Sequence, residues 1–472
     1  MEKQSFGIII TTRSFFPSHL VAAAREQITK LIVKMGYDYV ALNESDTEHG
    51  AVRSYDEAKI CAELFRKNAE KISGVVVVLP NFGEETGVAD CLDLAGLQVP
   101  VLVQACDDDF NALDLGHRRD AFCGKLSLCN NLYQRGIKFT NTTLHTCKID
   151  SDSFAADFDR FAAVCRVVRG IKHMRIAALG ARPVAFNTVR YSEKILQKHQ
   201  INVQTIDMSE VIATANQITN SESVDEKMRE IEEYGTIACG ISKDKIKKQA
   251  KLCIAIEQYV REYQCDCSAI QCWDSIQNNY GCATCLSMSM MGEKGLPSAC
   301  EMDVTGALTM YALLKATGTP PAYMDWNNNV NSERDMCITL HCSNFPKSFF
   351  QRESIEIGNL DVLATTIGED KCFGACKAQV AAGPMTFAKI STDDSKGVLK
   401  LYVGEGDFLP DAIDTKGGTA FCHIDGLQSL MHYLCENGFE HHVAFVRGHV
   451  ADIIEEAFGK YIGARVYRHS GK

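Results

Sequence analysis

The chain has 472 residues, of which 46% are hydrophobic and 23% are charged, and its formal net charge is −11. This is the composition of an ordinary globular protein, long enough for roughly two to four domains with buried cores. The negative charge, without any basic block, argues against a nucleic-acid-binding surface, and no apolar run is long enough to cross a membrane.

The amino-terminal third alternates predicted strands and helices. Its first apolar run, FGIII, predicts a buried strand and is too short for a signal sequence, so we expect a cytoplasmic protein. Later runs, SGVVVVLPN and VPVLVQACD, predict further buried strands between helical segments. Continuous apolar strands between helices are typical of a doubly wound parallel sheet. We therefore predict a Rossmann-like domain over residues 1–171.

Polar residues follow two of these strands. Ligands of parallel sheets bind at the carboxyl ends of the strands, which makes Arg13 and Asn81 candidate substrate contacts. An arginine in a surface loop is also commonly just solvated, so this alternative stays open for Arg13. No GxGxxG motif follows the first strand, which argues against dinucleotide binding.

A second Rossmann-like domain is predicted over residues 172–320. The runs HMRIAALG, INVQTIDMS, TIACGI and CSAIQCW predict its strands, and residues 243–263 a long helix. The last strand leads into Gln271 and Trp273, a polar and an aromatic side chain suited to contact a sugar. A core position is an equal alternative for Trp273.

Twenty-one cysteines are unusual for this length, and six of them are close in sequence: Cys265, Cys267, Cys272, Cys282, Cys285 and Cys300. Disulfide-rich secreted proteins are usually small, so we expect reduced thiols buried as small apolar groups. A structural zinc or iron–sulfur site is the alternative. The single CxxC at Cys282 and Cys285 lacks the second pair that a zinc ribbon needs.

The segment CEMDVTGALTMYALLKATGTPPAYMD, residues 300–325, predicts an amphipathic helix from Asp303 to about residue 317, with Asp303 as N-cap and Gly318 as its end. Glu301 and Asp325 lie just outside this helix, and Asp325 ends an extended stretch before a predicted loop, WNNN. A helix and a returning strand can bring the two carboxylates into one pocket, where a histidine would complete a divalent metal site. Solvated acids are the alternative.

Beyond residue 320 the pattern predicts strands, and we expect a β-rich, barrel-like domain over residues 321–472. Residues 336–342 alternate, and PMTFAKIS with GVLKLYVGEG predicts a hairpin. His441 and His442 open a late strand. Because successive side chains on a strand point to opposite faces, only one of these two histidines can face a given site.

Several of these features occur together, in order, in one known family. Glu301, the GALTM helix, Asp325, His341 in LHCSNFP and the pair at 441–442 resemble the L-fucose isomerase and L-arabinose isomerase superfamily. The resemblance is strongest over residues 271–448. It implies two Rossmann-like domains before a β-rich domain, and a homotrimer or homohexamer that acts on a small-molecule sugar.

The resemblance also implies roles for individual residues. Glu301 and Asp325 match the pair that both binds metal and exchanges protons, and His442 matches the carboxyl-terminal metal ligand. His341 aligns with a ligand used in the arabinose branch only. In the same comparison Gln271 and Arg13 fall near substrate contacts. The cysteine-rich surroundings of Gln271 and Cys300 depart from both branches.

The expected function is therefore aldose–ketose isomerisation of an open-chain sugar through an enediol, without an organic cofactor. Carboxylate-rich ligands favour Mn²⁺, with Mg²⁺, Co²⁺ or Fe²⁺ as alternatives. The sugar stays open: L-fucose, D-arabinose, L-arabinose or a modified hexose such as a sulfonated one. Two other classes remain as alternatives, a non-catalytic sugar-binding protein on the same fold and a metal or redox protein built on the cysteine cluster.

Overall fold

The computed structural model describes residues 3–471 except 343, 352–354, 412, 414 and 416. The chain forms two compact units, residues 1–169 and 170–472. None of the helices in the described part has the length and apolar character needed to cross a lipid bilayer. The predicted further division at residue 320 stays a prediction.

The first unit contains one parallel sheet in the order β2-β1-β4-β5-β6, with β3 also paired to β1. Its strands are β1 Ser5–Thr11, β2 Asp38–Ala41, β3 Ala51–Val52, β4 Ile72–Leu79, β5 Val101–Ala105 and β6 Thr140–Asn141. Its helices are α1 His19–Lys34, α2 Tyr55–Lys67, α3 Glu85–Ala95, α4 Ala121–Gln134 and α5 Asp152–Ile171, the last of which runs across the boundary at residue 169.

Both faces of this sheet are covered by helices. Alternate residues of β4 enter different cores: Val75 and Val77 pack with α2, α3 and α4, whereas Val76 and Val78 pack with α1 and α5. A strand buried on both faces must be apolar at every position, which explains the run VVVVL. The prediction of a parallel α/β sheet in this region is confirmed.

The second unit contains two sheets. Its strands are β7 Arg175–Leu179, β8 Asn202–Ile206, β9 Thr236–Ile237, β10 Cys267–Ile270, β11 Ser298–Cys300, β12 Ala322–Val330, β13 Glu333–His341, β14 Glu356–Asn359, β15 Phe373–Gln379, β16 Gly383–Asp393, β17 Val398–Leu409, β18 Gly418–His423, β19 His442–Arg447 and β20 Arg465–Arg468. Its helices are α6 Glu193–Lys198, α7 Met208–Gln217, α8 Ser221–Tyr234, α9 Lys243–Glu262, α10 Ser275–Asn279, α11 Cys285–Glu293, α12 Val304–Thr317, α13 Asp361–Ile367, α14 Leu427–Glu436 and α15 Ala451–Glu456.

The smaller sheet is parallel, in the order β11-β10-β7-β8, as the sequence predicts for this region. The run TIACGI contains a short strand, as predicted, but this strand does not join the smaller sheet. Only two of its residues are extended, and they form β9, which pairs with β14 of the other sheet. The left-handed Gly240 turns the chain into α9 before the strand can lengthen.

The larger sheet has ten strands in the order β20-β17-β16-β19-β12-β13-β18-β15-β14-β9, with mixed directions. An additional pairing of β17 with β18 makes six of these strands a closed ring of neighbours. The prediction of a strand-rich carboxyl-terminal region and of the β16–β17 hairpin is confirmed. The barrel shape stays a prediction, because pairing alone does not specify the curvature of a sheet.

Two local expectations need correction near α12. The helix has the predicted caps at Asp303 and Gly318, but it is buried on nearly all sides rather than amphipathic. Threonines in this helix are polar in the sequence but are buried in the structure. The Thr309 hydroxyl, for example, donates to the Thr305 carbonyl and accepts from the Ile390 N–H. The stretch WNNN is not a loop but part of β12, because it pairs across to β13.

Candidate metal and catalytic site

The carboxyl ends of β10 and β11 form one edge of the site. These parallel strands pair Ile270 with Cys300, so the residues that follow them emerge side by side. Glu301 and Met302 have φ of 59° and 64°, in the left-handed region, which turns the chain sharply before Asp303 caps α12. This turn places the Glu301 side chain at the strand end and the Asp303 side chain at the start of the helix.

The other edge comes from the large sheet. On β12, Asp325 lies opposite His442 of β19 on one side and opposite Leu340 of β13 on the other. His341 is the next residue on β13 and is fully enclosed. Strand pairing therefore brings Asp325, His341 and His442 together although they are far apart in sequence.

These side chains form a compact group of oxygen and nitrogen donors. Nε2 of His442 lies 2.9 Å from Oε2 of Glu301 and 3.4 Å from Oδ1 of Asp325. One donor atom each of Asp325, His341 and His442 lies within 4.8 Å of the others. Oδ1 of Asp325 is buried and has no hydrogen-bond partner. A buried carboxylate oxygen without a hydrogen-bond partner is a feature expected of a ligand site when, as here, other donor atoms lie beside it.

A buried network fixes the orientation of His442. Its Nδ1 lies 3.0 Å from Oδ2 of Asp303, and this same oxygen accepts hydrogen bonds from Lys389 Nζ at 2.6 Å and from the Tyr323 hydroxyl at 2.5 Å. Both Asp303 and Lys389 are completely buried. A methyl group on Gly306 would overlap the Tyr323 hydroxyl, so the network also requires glycine there. Such a carboxylate–histidine pair orients the opposite ring nitrogen toward a metal.

The charges of this network shift the pKa values of its members. Burial alone would raise the pKa of Asp303, but the Lys389 ammonium and the His442 ring hold it well below its ordinary value. Burial lowers the pKa of His442, but hydrogen bonds to Asp303 and Glu301 outweigh burial and raise the pKa to about 9. Metal binding at this ring would therefore compete with its protonation.

Trp273 contacts this site directly, whereas Gln271 lines a cavity at the ends of three strands. The indole Nε1 of Trp273 donates to Oε1 of Glu301 at 3.1 Å, so the ring positions the carboxylate. The carbonyl oxygen of the Gln271 side chain accepts from the Ala181 N–H at 3.0 Å and lines an open cavity of about 930 Å³ at the carboxyl ends of β7, β8 and β10. Their role as substrate contacts stays a prediction.

Arg13 and Asn81 lie together in the first unit, at the carboxyl ends of β1 and β4. Nε of Arg13 donates to the Gly83 carbonyl at 2.9 Å, and its guanidinium stacks 4.2 Å from the Phe82 ring centre. Asn81 is buried and donates to the Thr12 hydroxyl at 2.7 Å. Both side chains therefore have partners within their own unit, and their contact with substrate stays a prediction.

His441 departs from the strict alternation expected of a strand. The strand β19 begins at His442, so His441 precedes the regular pairing. Its side chain is 40% exposed, yet its Nε2 still approaches Oδ1 of Asp325 to 3.8 Å. The prediction that only one of the two histidines faces the site is therefore wrong, since the rings lie 4.5 Å apart and both approach Asp325. Their unequal roles in metal binding stay a prediction.

Sequence reasoning missed three members of the site: Tyr323, Lys389 and Cys342. Lys389 had a visible signal, since a lysine inside the apolar strand FAKI must find a buried partner. Cys342 directly follows His341, and its Sγ lies 3.5 Å from the Nδ1 of that ring. Hydrogen bonds with Cys285 and Cys300 lower the pKa of Cys342. All 21 cysteines are free thiols, and most are buried, as the composition predicts.

Comparison with known proteins shows that two parts of this chain are similar to a family of sugar isomerases. The family model for the fucose/sulfoquinovose isomerase N-terminal domain matches residues 7–172, and that for the L-fucose isomerase C-terminal domain matches residues 339–469. A sulfoquinovose isomerase of Alkalicoccus urumqiensis is 24% identical over 330 residues, covering 67% of this chain and 72% of that protein. One of Priestia aryabhattai is 23% identical over 302 residues, covering 62% of this chain and 64% of that protein.

Solved structures add little to this comparison. A solute-binding protein of an ABC transporter from Burkholderia multivorans covers 68% of this chain and 95% of its own length, at 9% identity and a TM-score of 0.18. A score this low bears on neither fold nor function.

Proposed function

The chain belongs to the fucose isomerase-like family and is an aldose–ketose isomerase, and from this premise we propose that it acts with a bound divalent metal on an open-chain sugar through an enediol. The main support for a bound metal ion is the set of donor atoms around Asp325. Its Oδ1 is buried without a hydrogen-bond partner and faces His341 and His442. A carboxylate oxygen that accepts no hydrogen bond and lies beside two imidazole rings is suited to bind a cation.

The residues present fit such an ion. Glu301, Asp325 and His442 would hold it, with His341 as a fourth ligand. Two carboxylates with imidazole favour Mn²⁺ over a closed zinc site, and Mg²⁺, Co²⁺ or Fe²⁺ would be accepted by the same donors. When bound, the ion would polarise the sugar carbonyl and stabilise the charge that develops on its oxygen.

The protein groups supply the proton transfer. A carboxylate of the Glu301–Asp325 pair takes the proton from C2 of the sugar and returns it to C1, as base and then as conjugate acid. The Trp273 N–H holds Oε1 of Glu301, while Oε2 lies 2.9 Å from Nε2 of His442. Asp303 holds the ring of His442 in place, so the site needs little rearrangement during turnover.

For the substrate we propose a sulfonated aldohexose, sulfoquinovose. The support is the description of the amino-terminal family model and the names of the relatives, which are sulfoquinovose isomerases. A panel of sulfoquinovose, L-fucose, D-arabinose and L-arabinose, assayed for ketose formation with Mn²⁺, tests this choice. Sulfoquinovose should give the highest kcat/KM, and a preference for an uncharged sugar would contradict it.

Assembly as a homotrimer or homohexamer and a cytoplasmic location belong to the same proposal. Their support is the family resemblance alone. Sedimentation of the purified protein would decide the subunit number, since a monomer would contradict the proposed assembly.

Metal removal should abolish the activity. We expect enzyme treated with EDTA and then dialysed to be inactive, and added Mn²⁺ to restore turnover, because the ion polarises the carbonyl. Added NAD or NADP should have no effect. Full turnover by protein whose metal content is shown to be negligible would exclude this mechanism.

The two adjacent histidines should differ in metal binding. Loss of an outer partner of a metal ligand typically costs about 10- to 100-fold in metal affinity, so His442→Ala, which removes a ligand, should cost at least that. His441→Ala is the matched control and should change Mn²⁺ affinity much less, since its ring is exposed and more distant from Asp325. Titration of both variants with Mn²⁺ measures the difference. If only His441→Ala loses the metal, the ligand is misassigned by one residue.

A further inference from the structure

Four thiols from separate segments meet beside the isomerase site. Cys272 follows β10, Cys285 begins α11, Cys300 ends β11 and Cys342 follows β13. Sγ of Cys300 and Sγ of Cys342 lie within 4.8 Å of each other, and Cys272 and Cys285 are close enough to influence the pKa of the Cys300 thiol. The first three are completely buried and Cys342 is half-buried. Cys272, Cys300 and Cys342 are adjacent in sequence to Trp273, Glu301 and His341, respectively. Cys285 is the first residue of α11.

Two of these thiols join other donors in a geometry that can hold an ion. Sγ of Cys300, Sγ of Cys342, a carboxylate oxygen of Glu301 and a ring nitrogen of His341 all lie within 4.8 Å of one another. Zinc–sulfur bonds of about 2.3 Å and zinc–nitrogen bonds of about 2.0–2.1 Å place tetrahedral ligand atoms roughly 3.3–3.8 Å apart. Shifts of about 1 Å in these side chains would therefore bring all four donors onto one ion.

We propose that Cys300, Cys342, His341 and Glu301 form a second metal position, which takes a thiophilic divalent ion of the Zn²⁺ class. Soft thiolates select zinc over manganese, whereas the Asp325 and His442 donors of the isomerase site are harder. The Nδ1 of His341 already lies 3.5 Å from Sγ of Cys342, on the sulfur side of the ring. The thiol of Cys285 interacts with both sulfur ligands.

The two positions share Glu301 and His341. An ion on the sulfur side therefore withdraws two ligands from the isomerase centre, and Zn²⁺ inhibits the Mn²⁺-loaded enzyme. Metal binding at the sulfur position does not depend on the isomerase proposal, whereas the inhibition by Zn²⁺ rests on it.

Cobalt(II) is the probe for this position, because thiolate ligands give it intense near-ultraviolet charge-transfer absorption and oxygen or nitrogen ligands do not. We expect the reduced protein to show this absorption on addition of Co²⁺, and Zn²⁺ to remove it. Cys342→Ser and Cys300→Ser should each lose most of it. Cys267→Ser is the matched control, since Cys267 is a fully buried thiol on β10 outside the group.

Further variants separate this position from the isomerase centre. His442→Ala should keep the absorption although it loses Mn²⁺, and Zn²⁺ inhibition should be at least about tenfold weaker in Cys342→Ser. If Cys300→Ser fails to fold, the Co²⁺ absorption of Cys342→Ser, which replaces a half-buried thiol, decides the question alone. The proposal would be overturned by Co²⁺ binding without thiolate absorption or by absorption that survives in Cys342→Ser. Equal Zn²⁺ inhibition of the parent enzyme and of Cys342→Ser would overturn it as well.

Discussion

Glu301→Gln and Asp325→Asn should each lower kcat for isomerisation by a factor of about 10² to 10⁴ or more, which is the range that loss of a general base alone produces. Each substitution removes a metal ligand and a proton carrier while keeping the size of the side chain. Both carboxylates face Nε2 of His442, Glu301 at 2.9 Å and Asp325 at 3.4 Å, so both lie at the site where the metal would bind. Steady-state kinetics with saturating Mn²⁺ measures the effect.

The matched control for these variants is Glu440→Gln. Glu440 is also a buried carboxylate in the same unit, but it accepts a hydrogen bond from Ser391 at 2.6 Å instead of facing the histidines. Its replacement should leave most of the turnover intact. Near-normal kcat in Glu301→Gln or Asp325→Asn, in protein with unchanged circular dichroism, would refute the catalytic assignment.

Lys389→Met should destabilise the protein by about 3–5 kcal/mol, the usual cost of leaving one member of a buried ion pair without its partner. Nζ of Lys389 lies 2.6 Å from Oδ2 of Asp303, and neither side chain is exposed to solvent. Methionine preserves the length and the apolar stem but removes the charge. Urea unfolding followed by circular dichroism measures the loss.

Lys396→Met is the control for this experiment. Lys396 pairs with Asp393 at 3.3 Å in the β16–β17 hairpin, and its side chain is 52% exposed. Exposed pairs contribute about 0–1 kcal/mol, so this variant should unfold nearly as the parent does. The double variant Asp303→Asn, Lys389→Met should recover part of the lost stability, because it no longer has a buried Asp303 carboxylate without the Lys389 ammonium. Equal losses for Lys389→Met and Lys396→Met would contradict the network.

Local sequence signals were sufficient for several parts of the site. The N-cap at Asp303 and the end at Gly318 follow from the preferences of helix ends, and Glu301 and Asp325 lie outside the helix on either side, as predicted. The pairing of Asp303 with Lys389 was not predictable in this way, because the partner lies 86 positions away and is chosen by packing. The catalytic and ligand roles of Glu301, Asp325, His341 and His442 stay predictions, although the structure brings the four side chains together.

Tertiary context overrode local preference in other places. Three consecutive asparagines at 327–329 favour a loop, yet hydrogen bonds to β13 hold two of them in β12. The six cysteines that are close in sequence do not form one spatial group, since Cys265, Cys267 and Cys282 lie outside the group that Cys342, 42 positions after Cys300, joins. Spacing along the chain cannot reveal a contact that strand pairing creates.

The pairing of Asp325 with His442 across β12 and β19 has a consequence for how this protein can change in evolution. A single residue inserted or deleted between Ala322 and Asp325 would turn the carboxylate to the opposite face of the sheet and place a neighbour beside the imidazole. The turn at residues 331–332 lies beyond that pairing and can change in length without moving either group. Gaps in an alignment of relatives should therefore avoid the first half of β12 and accumulate at its far end.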